Sequence, residues 1–333
     1  MRSVRRVAVL IDREQRIDGD PELVSEEALR HAPMEYHLAA SLRRLGYDLS
    51  LIPCLSGRQL IAELERSAPD VVYNATEHVD GKRTSDIQIP VLLEMLRIPY
   101  TGASAASLLL CRDKAVSKSL AMMVGVRVPA FALAPAGEQS PQNVPPFPVV
   151  VKPVSSDSSE GISMTSVVRN RRALGERLKV FHRRYRQTAI VESFIPGADI
   201  YVHVMQERKL RILPPVQLCI DVDPSSPRSM ATYHVKHNDP YREKWGIECR
   251  PADLGAASRR EMERSIKRLW PVLQLRDYNR FDFRLTPAGE MYFIEANPNP
   301  AFSPGGRYDN WTAEEYDADV RMLIDKAARR WAQ

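Results

Sequence analysis

Apolar and polar residues follow two different periods along this chain, and the change from one to the other sorts it into elements. Residues 7–11, 47–52, 70–73 and 98–100 are short apolar or alternating runs, which predict strands. Between them, residues 34–45, 59–66 and 88–96 repeat apolar positions at helical spacing, the first ending at Gly46. Strands alternating with helices predict a parallel sheet with crossover helices. Ligands of such sheets gather at the carboxyl ends of the strands, where Asp12 and residues 74–78 stand. Further on, residues 114–124 predict a helix, and 149–152 and 189–192 predict strands flanking a basic helix over 169–186. Residues 201–205 predict a strand, 256–270 a helix and 313–331 a closing helix, while the Pro-rich piece 135–148 reads as an exposed loop.

One stretch, RFDFRLTPAGEMYFIEANPNP over 280–300, carries more chemistry than any other. Two runs, 280–285 and 292–297, alternate with period two around Pro287-Ala288-Gly289-Glu290, a turn with both Pro and Gly. Folding about that turn sets Asp282 opposite Glu295 and Arg280 opposite Asn297. One face then holds Arg280, Asp282, Arg284, Glu295 and Asn297. The other holds Phe281, Phe283, Leu285, Tyr292, Ile294 and Ala296, a core face. Two carboxylates and an amide oxygen held this close repel one another without a cation, and hard oxygen ligands suit Mg²⁺. A surface hairpin with cross-strand charge pairs is the alternative. The separation of the faces and the Asn-Pro-Asn-Pro exit favour the metal.

Bulk properties narrow the classes. A length of 333 residues fits about two or three domains. No run of 18 apolar residues occurs, so no membrane partner is expected. The basic start is followed by an apolar run over 7–11 only, too short for a signal peptide and better read as a strand. Cysteines at 54, 111, 219 and 249 form no CxxC pair, which argues against zinc or a disulfide framework and fits a reducing cytoplasm. The net charge is +5, much of it in RNRRALGERLKVFHRRYR. A nucleic-acid patch is one reading of that run. Leu174, Leu178 and Phe181 give it an apolar stripe, which favours a solvated helix face and no nucleic-acid partner.

Arg280-x-Asp282, a hairpin and Glu295-x-Asn297 together resemble the metal-binding end of the ATP-grasp superfamily, and within it the D-alanine–D-alanine ligase group. The resemblance covers about residues 7–308. It implies an α/β (α+β) ATP-grasp fold in three units. These are a parallel α/β unit over 1–111, a central subdomain with a phosphate loop over 112–199, and a C-terminal subdomain with metal site and lid over 200–333. Nucleotide lies between the last two. The implied reaction is ADP-forming ligation of a carboxylate donor to an amine acceptor, both small molecules, through an acyl phosphate. ATP and Mg²⁺, as two ions for which Mn²⁺ can substitute, are the implied cofactors. A cytoplasmic location fits, and homodimers are common in the group.

Site residues carry over position by position. Asp113-Lys114-x-x-x-Lys118 is similar to the family's helix start, with Lys118 on nucleotide phosphate. Lys152 ends an apolar strand, where an ammonium needs an anion unless it snorkels to water; in the family that anion is phosphate. The loop Ser155–Gly161 is small-residue rich, as an anion nest requires, and Ser158, Ser159 and Gly161 fall at the family's Ser-Ser-x-Gly positions. Residues 190–199 resemble the adenine hinge, with Glu192, Ser193, Phe194 and Ile195 along the base edge. Asp199 stands where a glutamate usually takes the ribose hydroxyls. Tyr233-x-x-Lys236 resembles a phosphate-covering segment inside a polar stretch, 221–245, read as a lid. Asp282, Glu295 and Asn297 are the implied metal ligands, and Arg280 with the Ala301 N–H the implied oxyanion donors. His78, ten residues before Gln88, matches the family's donor-site histidine.

Other positions depart. The family's Gly-Gly-x-Ser-x-Glu turn is absent after the first strand, and spacing from Gly46 puts Glu27 at the position of its glutamate. Residues 79–84 replace a Gly-rich acidic text. Ala301 replaces a glycine, and Gly306 stands where a serine would hold the acceptor carboxylate, with Arg307 beside it. These departures imply an acceptor other than D-alanine, or one held differently. A D-alanine–D-alanine ligase of cell-wall synthesis and a non-catalytic nucleotide-binding module stay open as alternatives. Gly102-Ala-Ser-Ala-Ala106 approximates a nucleophile elbow, but no oxyanion loop accompanies it.

Overall fold

The computed structural model describes residues 4–12, 33–54, 56–79, 81–82, 85–155, 163–222, 226, 231–232, 235, 238–304 and 311–331. The N-terminal part alternates β1 (Arg6–Ile11), α1 (Met34–Arg44), β2 (Asp48–Pro53), α2 (Gly57–Ser67), β3 (Val71–Asn74) and α3 (Gln88–Met95). The strands pair in parallel in the order β2-β1-β3. Central β1 is buried on both faces from Val7 to Ile11, which is why its sequence is a continuous apolar run rather than an alternating one. The expected strand over 98–100 reduces to one parallel bridge, Tyr100 to Val72. Val72 N donates to Pro99 O at 2.8 Å and Thr101 N to Val72 O at 3.0 Å. Pro99 has no N–H to carry a ladder further.

Two helices follow, α4 (Ala105–Arg112) and α5 (Lys114–Met123). The patterning missed α4. Ser104 caps it, its hydroxyl accepting from Ser107 N at 3.2 Å, so the elbow-like Gly-Ala-Ser is a helix start. Asp113 caps α5, accepting from Ala115 N at 2.9 Å and Val116 N at 3.0 Å.

A four-stranded antiparallel sheet comes next, from β4 (Phe131–Ala134), β5 (Val149–Pro153), β6 (Val167–Val168) and β7 (Ala189–Ser193), in the order β4-β7-β5-β6. The basic helix α6 (Arg171–Tyr185) buries Leu174, Leu178 and Phe181 on it. Arg171, Arg172, Arg183 and Arg184 are exposed, as on a solvated helix face, while Arg177 turns in to donate to Ser166 Oγ at 2.9 Å.

The third sheet takes β8 (Ala198–Gln206), β9 (Leu210–Ile212), β10 (Val216–Cys219), β11 (Glu248–Pro251), β12 (Tyr278–Leu285) and β13 (Met291–Pro298), in the order β11-β10-β8-β12-β13 with β9 on β8. A short helix α7 (Asp239–Lys244) precedes β11, and α8 (Ala256–Val272) lies between β11 and β12. Met262, Ile266, Leu269 and Trp270 of α8 share a core with Phe281, Phe283 and Phe293.

The last helix, α9 (Ala313–Arg330), returns to the first sheet, packing Tyr316, Val320, Leu323, Ile324 and Ala327 among Val7, Val9, Ile11 and Tyr73. A charged latch accompanies it. Asp277, fully buried, accepts from Gly102 N at 2.9 Å and from Arg330 at 2.5 Å, with Lys326 at 3.4 Å. A buried carboxylate needs partners of this kind.

The β12–β13 hairpin departs from its expected register at one place. Arg280 faces Asn297 and Asp282 faces Glu295, but the register then shifts, and Phe283 faces Phe293. Ile294 is an extra residue, a β-bulge. Past it the period-two reading inverts. Phe293 and Met291 are buried, whereas Tyr292 and Ile294, assigned above to the core face, are not. All four cysteines are free thiols. Among the described residues, no helix is long and apolar enough to cross a membrane.

Candidate active site

The second and third sheets face each other across a cleft of about 650 Å³, its open mouth included. β5 contributes Val150 and Lys152, and the end of β7 contributes Glu192, Ser193, Phe194 and Ile195. β8 contributes Asp199 and Tyr201, and the hairpin contributes Asp282, Arg284, Ile294 and Glu295. Eight residues expected to bind nucleotide or metal therefore share one cavity.

Its floor is an ion cluster. Glu192 is buried between two lysines, Lys152 Nζ at 2.6 Å and Lys118 Nζ at 3.3 Å. Burial raises the Glu192 carboxyl, but the two ammonium groups outweigh it and hold the group below its ordinary value. Lys118 is fully buried and also donates to Ile294 O at 2.5 Å. Burial is the main cause that pushes its ammonium down to about 8. The bulge thus gives the site two things: a carbonyl for Lys118 and the Ile294 side chain in the cleft wall.

The hinge is braced from below. Arg284, almost fully buried, places Nη1 2.9 Å from Asp199 and donates through Nε to Ile195 O at 3.0 Å. Asp199 also accepts from Ala231 N at 3.1 Å. The aspartate expected at the ribose is therefore tied to the strand beneath the hinge while still lining the cleft.

On the metal face, Arg280 lies along Asp282, Nε at 2.7 Å and Nη2 at 3.1 Å, with its guanidinium 5.5 Å from the Tyr201 ring. Lys114, buried at the start of α5, sits 3.5 Å from Glu295. These two cations relieve the carboxylate repulsion. The Asn297 amide has a buried Nδ2 with no hydrogen-bond partner among the described residues. Two carboxylates and an amide are an oxygen donor set that fits a hard divalent cation sharing substrate phosphates. No group of three His, Cys, Asp or Glu gathers among the described residues, which leaves a cation here to take its remaining ligands from substrate and water. Ala301 is exposed on the segment after β13.

The α5 N-terminus is fastened to the end of β5, Lys114 N donating to Val154 O at 3.0 Å and Asp113 bridging to Ser155. The serine loop leaves from that point. Ser158, Ser159 and Gly161 of that loop, Tyr233 and Lys236 of the stretch expected to form a lid, and Glu27, Gly306 and Arg307 lie outside the described residues.

His78 belongs to the first sheet, at the carboxyl end of β3, and its Nδ1 lies 2.8 Å from Asp12 Oδ2. Asp12 is a partner that sequence reasoning placed at a strand end without giving it a task. Three other residues were missed as site groups: Lys114, whose i,i+4 relation to Lys118 was visible; Arg284, on the correct face; and Ile294, hidden by the bulge.

Comparisons with known proteins agree with this geometry. Residues 123–326 match the family model described as D-ala D-ala ligase C-terminus. A D-alanine–D-alanine ligase of Gluconobacter oxydans is 29% identical over 269 residues, covering 79% of this chain and 82% of its own. The uncharacterized protein y4sG of Sinorhizobium fredii is 28% identical over 305 residues, covering 88% and 87%. Among solved structures, the D-alanine–D-alanine ligase of Bacillus anthracis complexed with ATP superposes with a TM-score of 0.71 at 20% identity, covering 98% of this chain and 99% of that one.

Proposed function

We propose a reaction from one premise: the chain belongs to the D-alanine–D-alanine ligase family and has the ATP-grasp fold. It is an ADP-forming acid–amino-acid ligase. The reading put forward is that it joins a small amino-acid-like carboxylate donor to an amine other than D-alanine through an acyl phosphate. One observation carries the ATP-dependent chemistry: Asp282 and Glu295 face each other in the wall of the cleft that also holds Lys152 and the hinge.

The residues divide the work. Glu192, Ser193, Phe194 and Ile195 offer the hinge edge to adenine, with Asp199 toward the ribose. Lys118 and Lys152 exchange part of their contact with Glu192 for phosphate oxygens, and Ser158, Ser159, Gly161 and Lys236 are assigned to the same phosphates. Asp282, Glu295 and Asn297 would hold Mg²⁺, which when bound neutralises charge on the transferring phosphoryl group. The donor carboxylate oxygen attacks the γ-phosphorus in line as its bond to the ADP oxygen breaks. The amine then attacks the acyl carbon, and Arg280 with the Ala301 N–H stabilises the oxyanion until phosphate leaves. His78, and Glu27 by its spacing, are assigned to the donor.

The three sheets support a division into units over 1–111, 112–199 and 200–333, with β8 crossing the second boundary. Four free thiols favour the cytoplasm. A homodimer is the proposed assembly. The relatives named D-alanine–D-alanine ligase favour a second reading, in which the acceptor is D-alanine itself.

The test is ADP release with Mg·ATP against pools of L-, D- and β-amino acids, using Asp282→Asn as the blank. Release that needs a pool other than D-alanine and is lost in the variant supports the first reading. Release with D-alanine alone supports the second, and release from no pool rejects both.

A further inference from the structure

Asp12 follows β1, the central strand of the parallel sheet, and is 5% exposed. One carboxylate oxygen, Oδ1, takes three donors: the Thr76 hydroxyl, Glu77 N at 3.0 Å and His78 N at 2.9 Å. The other oxygen faces His78 Nδ1 at 2.8 Å. Donors already occupy Oδ1, and the carboxylate meets His78 as an acceptor. The proton between Asp12 and His78 therefore sits on Nδ1. In the neutral imidazole Nε2 is then the acceptor. The His78 side chain is 30% exposed, beyond the carboxyl end of β3, where ligands of such sheets gather.

Further titratable groups lie around this pair. Glu35, on the first turn of α1, is 3% exposed and its Oε2 has no hydrogen-bond partner among the described residues. Burial first, then the nearby Asp12 and Glu77 carboxylates, push it up to about 7. Cys54 is also buried there and is pushed up to about 12. Glu77 is exposed beside His78. With Nε2 as an acceptor and Glu77 beside it, the site suits a substrate group that brings N–H donors, as an ammonium does.

We propose that Asp12 is a positioning residue that holds His78 in the Nδ1–H form, so that Nε2 accepts a hydrogen bond from the donor's amino group. This rests on the ligase reading for the identity of the ligand, but the tautomer does not depend on it.

The test is Asp12→Asn. The three donors on Oδ1 force the amide oxygen into that position, which turns the amide NH₂ toward His78 Nδ1 and drives the ring to the Nε2–H form. Long-range ¹⁵N–¹H spectra of histidine-labelled protein read the tautomer directly. The expected result is Nδ1–H for His78 in the parent and Nε2–H in the variant. The donor KM rises at least tenfold, while the ATP KM and the circular dichroism spectrum stay unchanged. An Nε2–H parent, or a variant with the parent's donor KM, overturns the proposal. If no pool stimulates ADP release in the parent, the ligase reading fails, and the spectra alone decide whether Asp12 sets the tautomer.

Discussion

Lys152 Nζ lies 2.6 Å from the Glu192 carboxylate, both buried, on neighbouring strands of one sheet whose register sets Lys152 beside Ile190 and Val150 beside Glu192. The pair is prepaid solvation for a cation that must wait in a dry cleft. Replacing Lys152 by alanine leaves Glu192 with Lys118 as its remaining ammonium partner and removes one cation from the phosphates. Hydrogen bonds to charged groups contribute about 1.5–3 kcal/mol, so the ATP Kd should rise about 10- to 100-fold. Titration calorimetry with a non-hydrolysable ATP analogue measures this. An unchanged Kd removes Lys152 from the phosphate contacts.

Lys118 adds a pH dependence. Its ammonium is pushed down to about 8 in the free protein. Only the protonated form attracts phosphate, so binding raises that pKa, and between the two values binding takes up a proton. ATP affinity should therefore fall as pH rises through about 8. Calorimetry at pH 8.5 in Tris and in HEPES should give enthalpies that differ by a positive fraction of a proton taken up. Equal enthalpies would show that Lys118 does not change protonation on binding.

Asp282→Asn and Glu295→Gln separate binding from rate. Each keeps the side-chain shape and removes a charge from the face that meets Arg280 and Lys114. Turnover should fall by roughly 10²–10⁴, which is several kcal/mol of barrier. Circular dichroism should still show a folded protein. Parent-like turnover in both variants would reject the metal assignment.

Much of this was readable from the chain because the relevant signals are local. The pairing of Asp282 with Glu295 follows from a two-residue period and a Pro-Gly turn, both contained in twenty-one residues. The parallel sheet follows from alternation, and the α6 stripe from helical spacing. What was lost has physical causes. The bulge at Ile294 changes which face the residues between it and the turn take, and nothing in Tyr-Phe-Ile-Glu marks the extra residue. Helix α4 reads Ala-Ala-Ser-Leu-Leu-Leu-Cys-Arg, small residues followed by a consecutive apolar run, so it shows no helical period. The Arg284–Asp199 and Asp12–His78 pairs join residues 85 and 66 positions apart in sequence, and only the folded sheets bring them together.

The hinge supplies the last prediction, through a backbone contact rather than a charge. Gly197, between β7 and β8, has φ +144, and a Cβ built there would lie 2.0 Å from Leu285 O and 2.7 Å from Leu285 C. Both are main-chain atoms at the end of β12, which is held to β8 by a continuous ladder, so they cannot turn aside. Gly46, at φ +80, has nothing within 4 Å of the same position. Alanine at Gly46 therefore meets only the left-handed backbone penalty, on the order of 1 kcal/mol. Alanine at Gly197 meets that strain and a clash that must separate the hinge from the hairpin, so it should lose more than about 3 kcal/mol. Urea unfolding of the two variants measures the difference. Because the hinge and hairpin line one cleft, Gly197→Ala should also weaken ATP binding in the fraction that still folds, whereas Gly46→Ala should bind as the parent does. Equal losses of stability in the two variants would mean that the hinge can move off β12 without penalty.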